Sequence, residues 1–422
     1  MPLQSLIDDA LAATPPGRRV WVALSGGLDS TLLLTLAVDA CRRHSRPLHA
    51  LHVHHGLQAA ADDFETRCRE LCARLGVPLV VERVSVDLAA GRGLEGAARE
   101  ARYAAFARRV APGESLWLAQ HRDDQAETFL LAALRGSGVR GLAGMPSARA
   151  WRKRRLRRPL LGVSRAEIEA EATRLGLAWV DDPSNADRAQ DRNFLRHDIL
   201  PRLAGHWPGA GEALARSAAL AAEADGLLAD LAGLDLERLG GDPSRLPVGG
   251  MIALSPARQR LLVRHCCERL GLPLPPSRRL ATLQGQLAAR ADAGVRVAWP
   301  GAEARVWRGH LHLLAPPAEL PAGWRVEWDG RSPLVTPLGE CRVWLASPEG
   351  PVALRVSGRR GGERLRLAGR GRRDLKRLLQ ELGVPPWVRG RLLVVRRGDE
   401  AVAVLDPCKG GWLVVAEGWS GA

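Results

Sequence analysis

Short apolar runs alternate with amphipathic stretches through the first half of the chain. Residues 20–24, 48–53, 79–84 and 115–119 read as buried strands, and the segments between them have the length and spacing of helices. A βα alternation of this kind predicts a parallel sheet covered on both faces. Ligands in that architecture sit beyond the carboxyl ends of the strands.

Around residues 205–211 the pattern changes to Ala- and Leu-rich helical sequence, EALARSAALAAEADGLLADL, with a second helical stretch near 256–270. A strand pair in VRVAWPGAEARVWRGHLHLL closes this region before the Pro-rich break at 315–323. Beyond Trp324, the runs WRVEW, CRVWL and VALRV flank one helix at 374–382, stopped by Gly383 and Pro385. The expectation is an α/β protein. A doubly wound, mostly parallel sheet occupies 1–205, a helical middle domain 206–316, and a small α+β domain 324–422. No internal repeat is visible.

Composition narrows the class. At 422 residues the chain exceeds what one core usually supports, and 46% hydrophobic with 25% charged residues is ordinary globular usage that excludes extended disorder. The net charge of +15 favours a polyanionic partner, although an Arg-biased composition leaves that choice to motifs. The seven cysteines form no C-x-x-C pair or zinc spacing, so they are expected to be reduced and structural. The acidic start and the lack of a long uncharged apolar run point to the cytoplasm and to no membrane partner.

VWVALSGGLDSTLLLTLAVDACRR reads as a buried strand, a tight turn and a helix beginning near Asp29 and Ser30. Gly26 and Gly27 let the backbone approach an anion, and the helix N-terminus offers unpaired N–H groups to a phosphate. Ser25 and Ser30 add hydroxyl donors beside Leu28. No lysine follows the glycines, so the loop is not built for terminal phosphoryl transfer. The string Ser25-Gly-Gly-Leu-Asp-Ser30 resembles the PP-loop of ATP pyrophosphatases, which implies release of pyrophosphate and transfer of AMP. ATP is then the substrate, and Asp29 would help hold Mg²⁺.

Four further segments resemble the tRNA(Ile)-lysidine synthetase family: LHVHHGLQ (51–58), GLEGAAREARYAAF (93–106), AQHRDDQAETFLLAALRGSGVRGLAGM (119–145) and WVDDPSNADRAQDRNFLRHDILPRL (179–203). GRRDLKRLLQELGVPPWVRGRL (371–392) extends the likeness to the last domain. The resemblance implies that the wobble cytidine of a CAU anticodon in a minor isoleucine tRNA is adenylated, and that free L-lysine then displaces AMP. Lysine's amine is an ammonium in solution, with a pKa of about 10.4, so acids are needed to collect it. Asp124 and Glu127 share one helix face and by resemblance bind that lysine, while Asp123 is left to the helix dipole. His52 and His121 fall near the nucleotide, and His54 and His55 suit loop packing better than zinc. In QDRNFLRH, which holds Arg192 and Asn193, the resemblance places Arg192 near the activated base. Arg99 and Arg102 with Glu95 form either a functional guanidinium face or a solvated one.

Residues 151–158 carry Arg152, Lys153, Arg154 and Arg155 in a dense cationic run, and 355–377 leads into Arg372, Arg373, Lys376 and Arg377. Both are expected to meet tRNA phosphates. A PP-loop tRNA thiolase is disfavoured because the cysteines lack the required pairing. A non-catalytic tRNA binder is disfavoured because the loop and acid pair are intact. A homodimer is left open.

Overall fold

The computed structural model describes residues 2–56, 61–85, 93–180, 187–287 and 294–421. Leu57, Gln58, the side chain of Glu95 and residues 181–186 of the expected motifs lie outside that description. The chain forms two units, Met1–Leu228 and Ala229–Ala422.

The first unit is built on six strands: β1 Val20–Ala23, β2 Leu48–His54, β3 Leu79–Arg83, β4 Ser115–Trp117, β5 Ala148–Trp151 and β6 Arg154–Arg157. They lie in the order β3-β2-β1-β4-β6-β5. Every neighbouring pair is parallel except the β5/β6 hairpin at the edge. The helices are α1 Leu3–Ala12, α2 Leu28–Arg43, α3 Ala61–Leu75, α4 Gly93–Arg109, α5 Arg122–Leu134, α6 Val139–Leu142, α7 Arg165–Arg174, α8 Asp191–Phe194 and α9 Leu200–His206. A π-helical turn, Leu195–Ile199, joins α8 to α9.

Alternation along β1 explains the two layers. Val20 and Val22 face a core with Leu32, Leu33 and Leu36 of α2 and Ile168 of α7. Trp21 faces the opposite core with Phe106, Val110, Leu116 and Leu156. Leu32, Leu33 and Leu34 are fully buried, each contributing about 1.5–3 kcal/mol relative to an exposed position. Because β1 lies between β2 and β4, the strand order reverses there and opens a crevice at the carboxyl ends of β1 and β4.

The division between units falls within a tenth helix, α10 Ala210–Arg238. The compositional shift at 205–211 therefore marks where this helix starts. In the second unit, helices Val248–Ile252, Pro256–Arg269 and Ser277–Leu287 accompany a four-stranded antiparallel sheet. That sheet is more than the single strand pair expected from the sequence: the same stretch holds three strands, Arg296–Trp299, Ala302–Trp307 and His310–Leu314, and Arg245–Pro247, too short to show a pattern, adds the fourth. A five-stranded antiparallel sheet follows, with strands Arg325–Trp328, Leu354–Gly358, Leu393–Arg397, Glu400–Asp406 and Gly411–Val415 in that order. The hairpin Arg364–Leu367/Gly371–Asp374 runs into helix Leu375–Glu381.

All seven cysteines are free thiols, and six are buried. Burial pushes Cys68 and Cys266 up to about 12 and Cys41, Cys72 and Cys267 up to about 11, which fits the expected structural role. Among the described residues, no helix is long and apolar enough to cross a membrane.

Candidate active site

The turn after β1 is held by its own serines. Ser30 Oγ donates to Gly27 O at 3.1 Å and accepts from Ser25 N at 3.1 Å, with Ser25 Oγ 3.0 Å away. Gly26 has φ +92°, and a Cβ there would approach Phe64 Cδ1 at 3.3 Å and Cys68 Sγ at 3.4 Å. Only glycine takes this conformation without strain. Gly27 caps α2 without a side-chain cap, so the first-turn N–H groups remain available to an anion.

Asp29 stands in that first turn, and Arg165 Nη1 at the start of α7 donates to both of its oxygens at 2.8 and 2.9 Å. Burial pushes the Asp29 carboxyl above its usual range, against the lowering effect of His121 and Arg165. A Ser164–Glu167 capping box sets the start of α7 and thereby the place of Arg165.

His121 caps α5 reciprocally. Its backbone N–H donates to Asp124 Oδ2 at 3.0 Å, and Asp123 N–H donates to His121 Nδ1 at 3.3 Å. The His121 Nε2 lies 3.6 Å from Asp124 Oδ2 and 3.9 Å from Asp29 Oδ2, and its Nδ1 lies 3.4 Å from Asp123 Oδ2. Burial pulls His121 down, but the Asp123, Asp124 and Asp29 carboxylates outweigh it and leave its pKa raised. Asp123 accepts from Arg165 N at 2.9 Å and so joins α5 to α7.

Asp124 and Glu127 do share a face, and one guanidinium bridges them. Arg196 Nη2 donates to Asp124 Oδ1 at 2.8 Å and Arg196 Nε to Glu127 Oε1 at 2.6 Å. Glu127 is 1% exposed, and burial pushes its pKa up against the opposing Arg196 charge. The sequence points to Arg192 in this segment. In the fold Arg192 is half-buried on α8, its charge also felt at Glu127, while Arg196 and His197 line the cleft itself. Sequence reasoning thus missed two arginines, Arg165 and Arg196.

These groups line one cleft of about 1170 Å³, together with Ser25, Gly27, Leu28, Ser30, His52, His54, His55, Arg99 and Arg102. The volume exceeds the roughly 300–1,000 Å³ typical of a pocket for one small molecule. His52 Nδ1 lies 2.9 Å from Leu24 O, and burial lowers its pKa, so the ring is neutral. His54 Nε2 is 3.1 Å from Asp62. With Glu65 this forms a cluster spaced for a metal, but Arg69 and Arg83 already pair with Glu65 at 2.8 Å. That arrangement agrees with loop packing.

The two basic runs differ in how freely their charges are offered. Arg152 and Lys153 form the exposed β5/β6 turn, at φ +46° and +62°, and Arg155 is also exposed. Arg154, expected to meet phosphate, donates instead to Ala107 O at 2.8 Å, Arg152 O at 2.7 Å and Val110 O. Its guanidinium is committed to the chain's own carbonyls. In the second unit, Arg364, Arg372, Arg373 and Arg377 surround a cleft of about 340 Å³ with Asp374 and Glu381. Lys376 is exposed nearby.

Three family descriptions match the chain: a PP-loop domain over residues 3–203, a TilS substrate binding domain over 246–312, and a TilS substrate C-terminal domain over 354–410. A tRNA(Ile)-lysidine synthase of Pseudomonas aeruginosa is 47% identical, covering 98% of this chain and 96% of its own. Proteins of the same name from Alkalilimnicola ehrlichii and Xanthomonas axonopodis are 46% and 44% identical, each covering 94% of this chain and 91% of their own.

Proposed function

The chain belongs to the tRNA(Ile)-lysidine synthase family, and from that premise we propose how its residues divide the work of ATP-dependent lysidine formation on tRNA(Ile). One observation carries the assignment: the Ser25–Ser30 turn, Asp29, His121 and the Asp124/Glu127 pair all line the same cleft.

The α2 N-terminus and the Ser25 and Ser30 hydroxyls bind the β- and γ-phosphates of ATP, with His52 and His121 bordering the nucleotide. Asp29, a partly exposed carboxylate at the same turn, would hold Mg²⁺, a hard cation that retains much of its water, once Arg165 yields one of the two oxygens it now occupies. When bound, that ion offsets the phosphate charge. The O2 oxygen of the wobble cytidine attacks the α-phosphorus, and pyrophosphate departs held by the turn. Arg192, near the activated base, stabilises charge on the transferred phosphate.

Asp124 and Glu127 collect the ε-ammonium of L-lysine. Glu127, whose carboxyl pKa burial pushes up, takes a proton from the ammonium. The freed nitrogen forms the bond to C2 as the C2–O bond to AMP breaks, AMP leaves with the electron pair, and the nitrogen's surplus proton passes to solvent. Arg152, Lys153 and Arg155 contact phosphates near the anticodon, while Arg372, Arg373, Lys376 and Arg377 contact the same tRNA at a distance.

The test is incorporation of radiolabelled lysine into tRNA, with and without ATP, by wild type, Asp29→Ala and Asp124→Ala. ATP-dependent labelling of isoleucine tRNA by wild type, reduced about 10³-fold in both variants, is expected. Folded wild type that cleaves ATP to AMP but labels no tRNA would move the acceptor to another substrate.

A further inference from the structure

The acid pair assigned to lysine already holds a cation. Arg196 reaches Asp124 with one nitrogen and Glu127 with another, as a substrate ammonium would need to do. Its side chain is 35% exposed, against 18% for Asp124 and 1% for Glu127. The guanidinium is thus the solvent-facing member of the group. Glu127 Oε2 is buried and makes no hydrogen bond. An amine can reach this carboxylate only after the covering group moves.

The segment bearing Arg196 is suited to such a movement. It is the π-helical turn Leu195–Ile199, flanked by α8 and α9 and followed by Pro201 at the start of α9. A π-turn holds one residue more than the α-helix around it, and such turns recur at functional sites. Relaxing it changes the direction in which Arg196 projects. The unpartnered Oε2 supplies a reason for the exchange. Arg196 satisfies one oxygen of Glu127, whereas an ammonium, with three donors, can satisfy acceptors that a planar guanidinium leaves bare.

We propose that Arg196 is a built-in occupant of the ammonium subsite, and that L-lysine binds by displacing it from Asp124 and Glu127. This rests on the assignment of that pair to lysine. In the resting enzyme the guanidinium keeps both carboxylates compensated and closes the subsite to water and adventitious amines. A subsite self-occupied in about nine molecules of ten lowers apparent lysine affinity about tenfold.

The test is the lysine KM of the full-length enzyme with saturating ATP and isoleucine tRNA, comparing wild type with Arg196→Met. The variant's lysine KM is expected to fall about tenfold, and millimolar guanidinium ion should then compete with lysine. A raised KM that guanidinium ion restores would overturn the inference, because Arg196 would then be holding the acids in place for the substrate. An unchanged KM would overturn it as well. A measurement on wild type covers the case in which the variant does not fold. The ¹⁵N-labelled Arg196 Nε–H signal should pass from a protected to a rapidly exchanging state on lysine addition, and a signal that stays protected in lysine-saturated enzyme would sink the idea. Wild type that binds no lysine at all would instead refute the assignment of the acid pair.

Discussion

The cleft of the first unit and the basin of the second are both rich in arginine, yet they use it in opposite ways. In the cleft, Arg165 closes on Asp29 and Arg196 on Asp124 and Glu127 at 2.6–2.9 Å. In the basin, four arginines surround two carboxylates. The cleft compensates its charges internally and fixes their geometry; the basin leaves a cationic excess for a polyanion to neutralise. Function in the first region should therefore depend on position, and in the second on charge and salt.

Gly26→Ala is the strongest way to break that contrast, since it changes no charge. Its methyl must accept φ +92° and press on Phe64 and Cys68, at a cost of about 1–3 kcal/mol. Lysine incorporation should fall about 10²-fold with tRNA affinity retained, as measured by turnover beside filter binding. Full turnover would show that the loop tolerates misplacement.

Arg372→Ala combined with Arg373→Ala should weaken tRNA binding about tenfold near physiological salt and flatten the log–log salt dependence by about two. Arg154→Ala removes the same type of charge from a place where it binds carbonyls. It should lower thermal stability by about 1–2 kcal/mol and leave the salt slope unchanged. Equal slopes for all variants would erase the distinction between the two regions.

Asp123→Asn sharpens the contrast with the smallest effect on turnover, which should stay within about threefold of wild type, as expected for a group that joins helices. Burial would raise Asp123, but bonds from His121 and Arg165 hold it down to about 2. A depressed carboxyl contributes stability that is present above its unfolded pKa of about 3.9 and is lost as pH falls through the folded value. Acid unfolding between about pH 4 and 2 should therefore be shallower in the variant. An unaltered acid limb would remove Asp123 from the structural role.

The fold was legible where local chemistry sufficed. An apolar strand, a glycine pair and a Leu-rich helix could pack in few ways, and the i, i+3 spacing placed Asp124 and Glu127 together. The arginines were harder to read. Arg165 meets Asp29 across 136 residues, and Arg196 meets Asp124 across 72, so no local spacing connects them. The Ser164–Glu167 box was a visible helix start that could have drawn attention to Arg165. Arg192 and Arg196 would share a face of an α-helix, but Arg196 lies within the π-turn that follows α8, which alters that relation. The density of the 151–158 run concealed a division of labour, because hairpin pairing sends successive side chains to opposite sides.

The distribution of thiols also makes the second unit easy to observe. Six of the seven cysteines are buried, and Cys408, the exposed one, lies in the turn after strand Glu400–Asp406. A maleimide dye or spin label applied briefly at neutral pH should therefore attach at one place without any cysteine being engineered in or out. The natural sequence thus provides a reporter in the C-terminal region, through which arrival of tRNA can be followed in real time on the unmodified catalytic cleft.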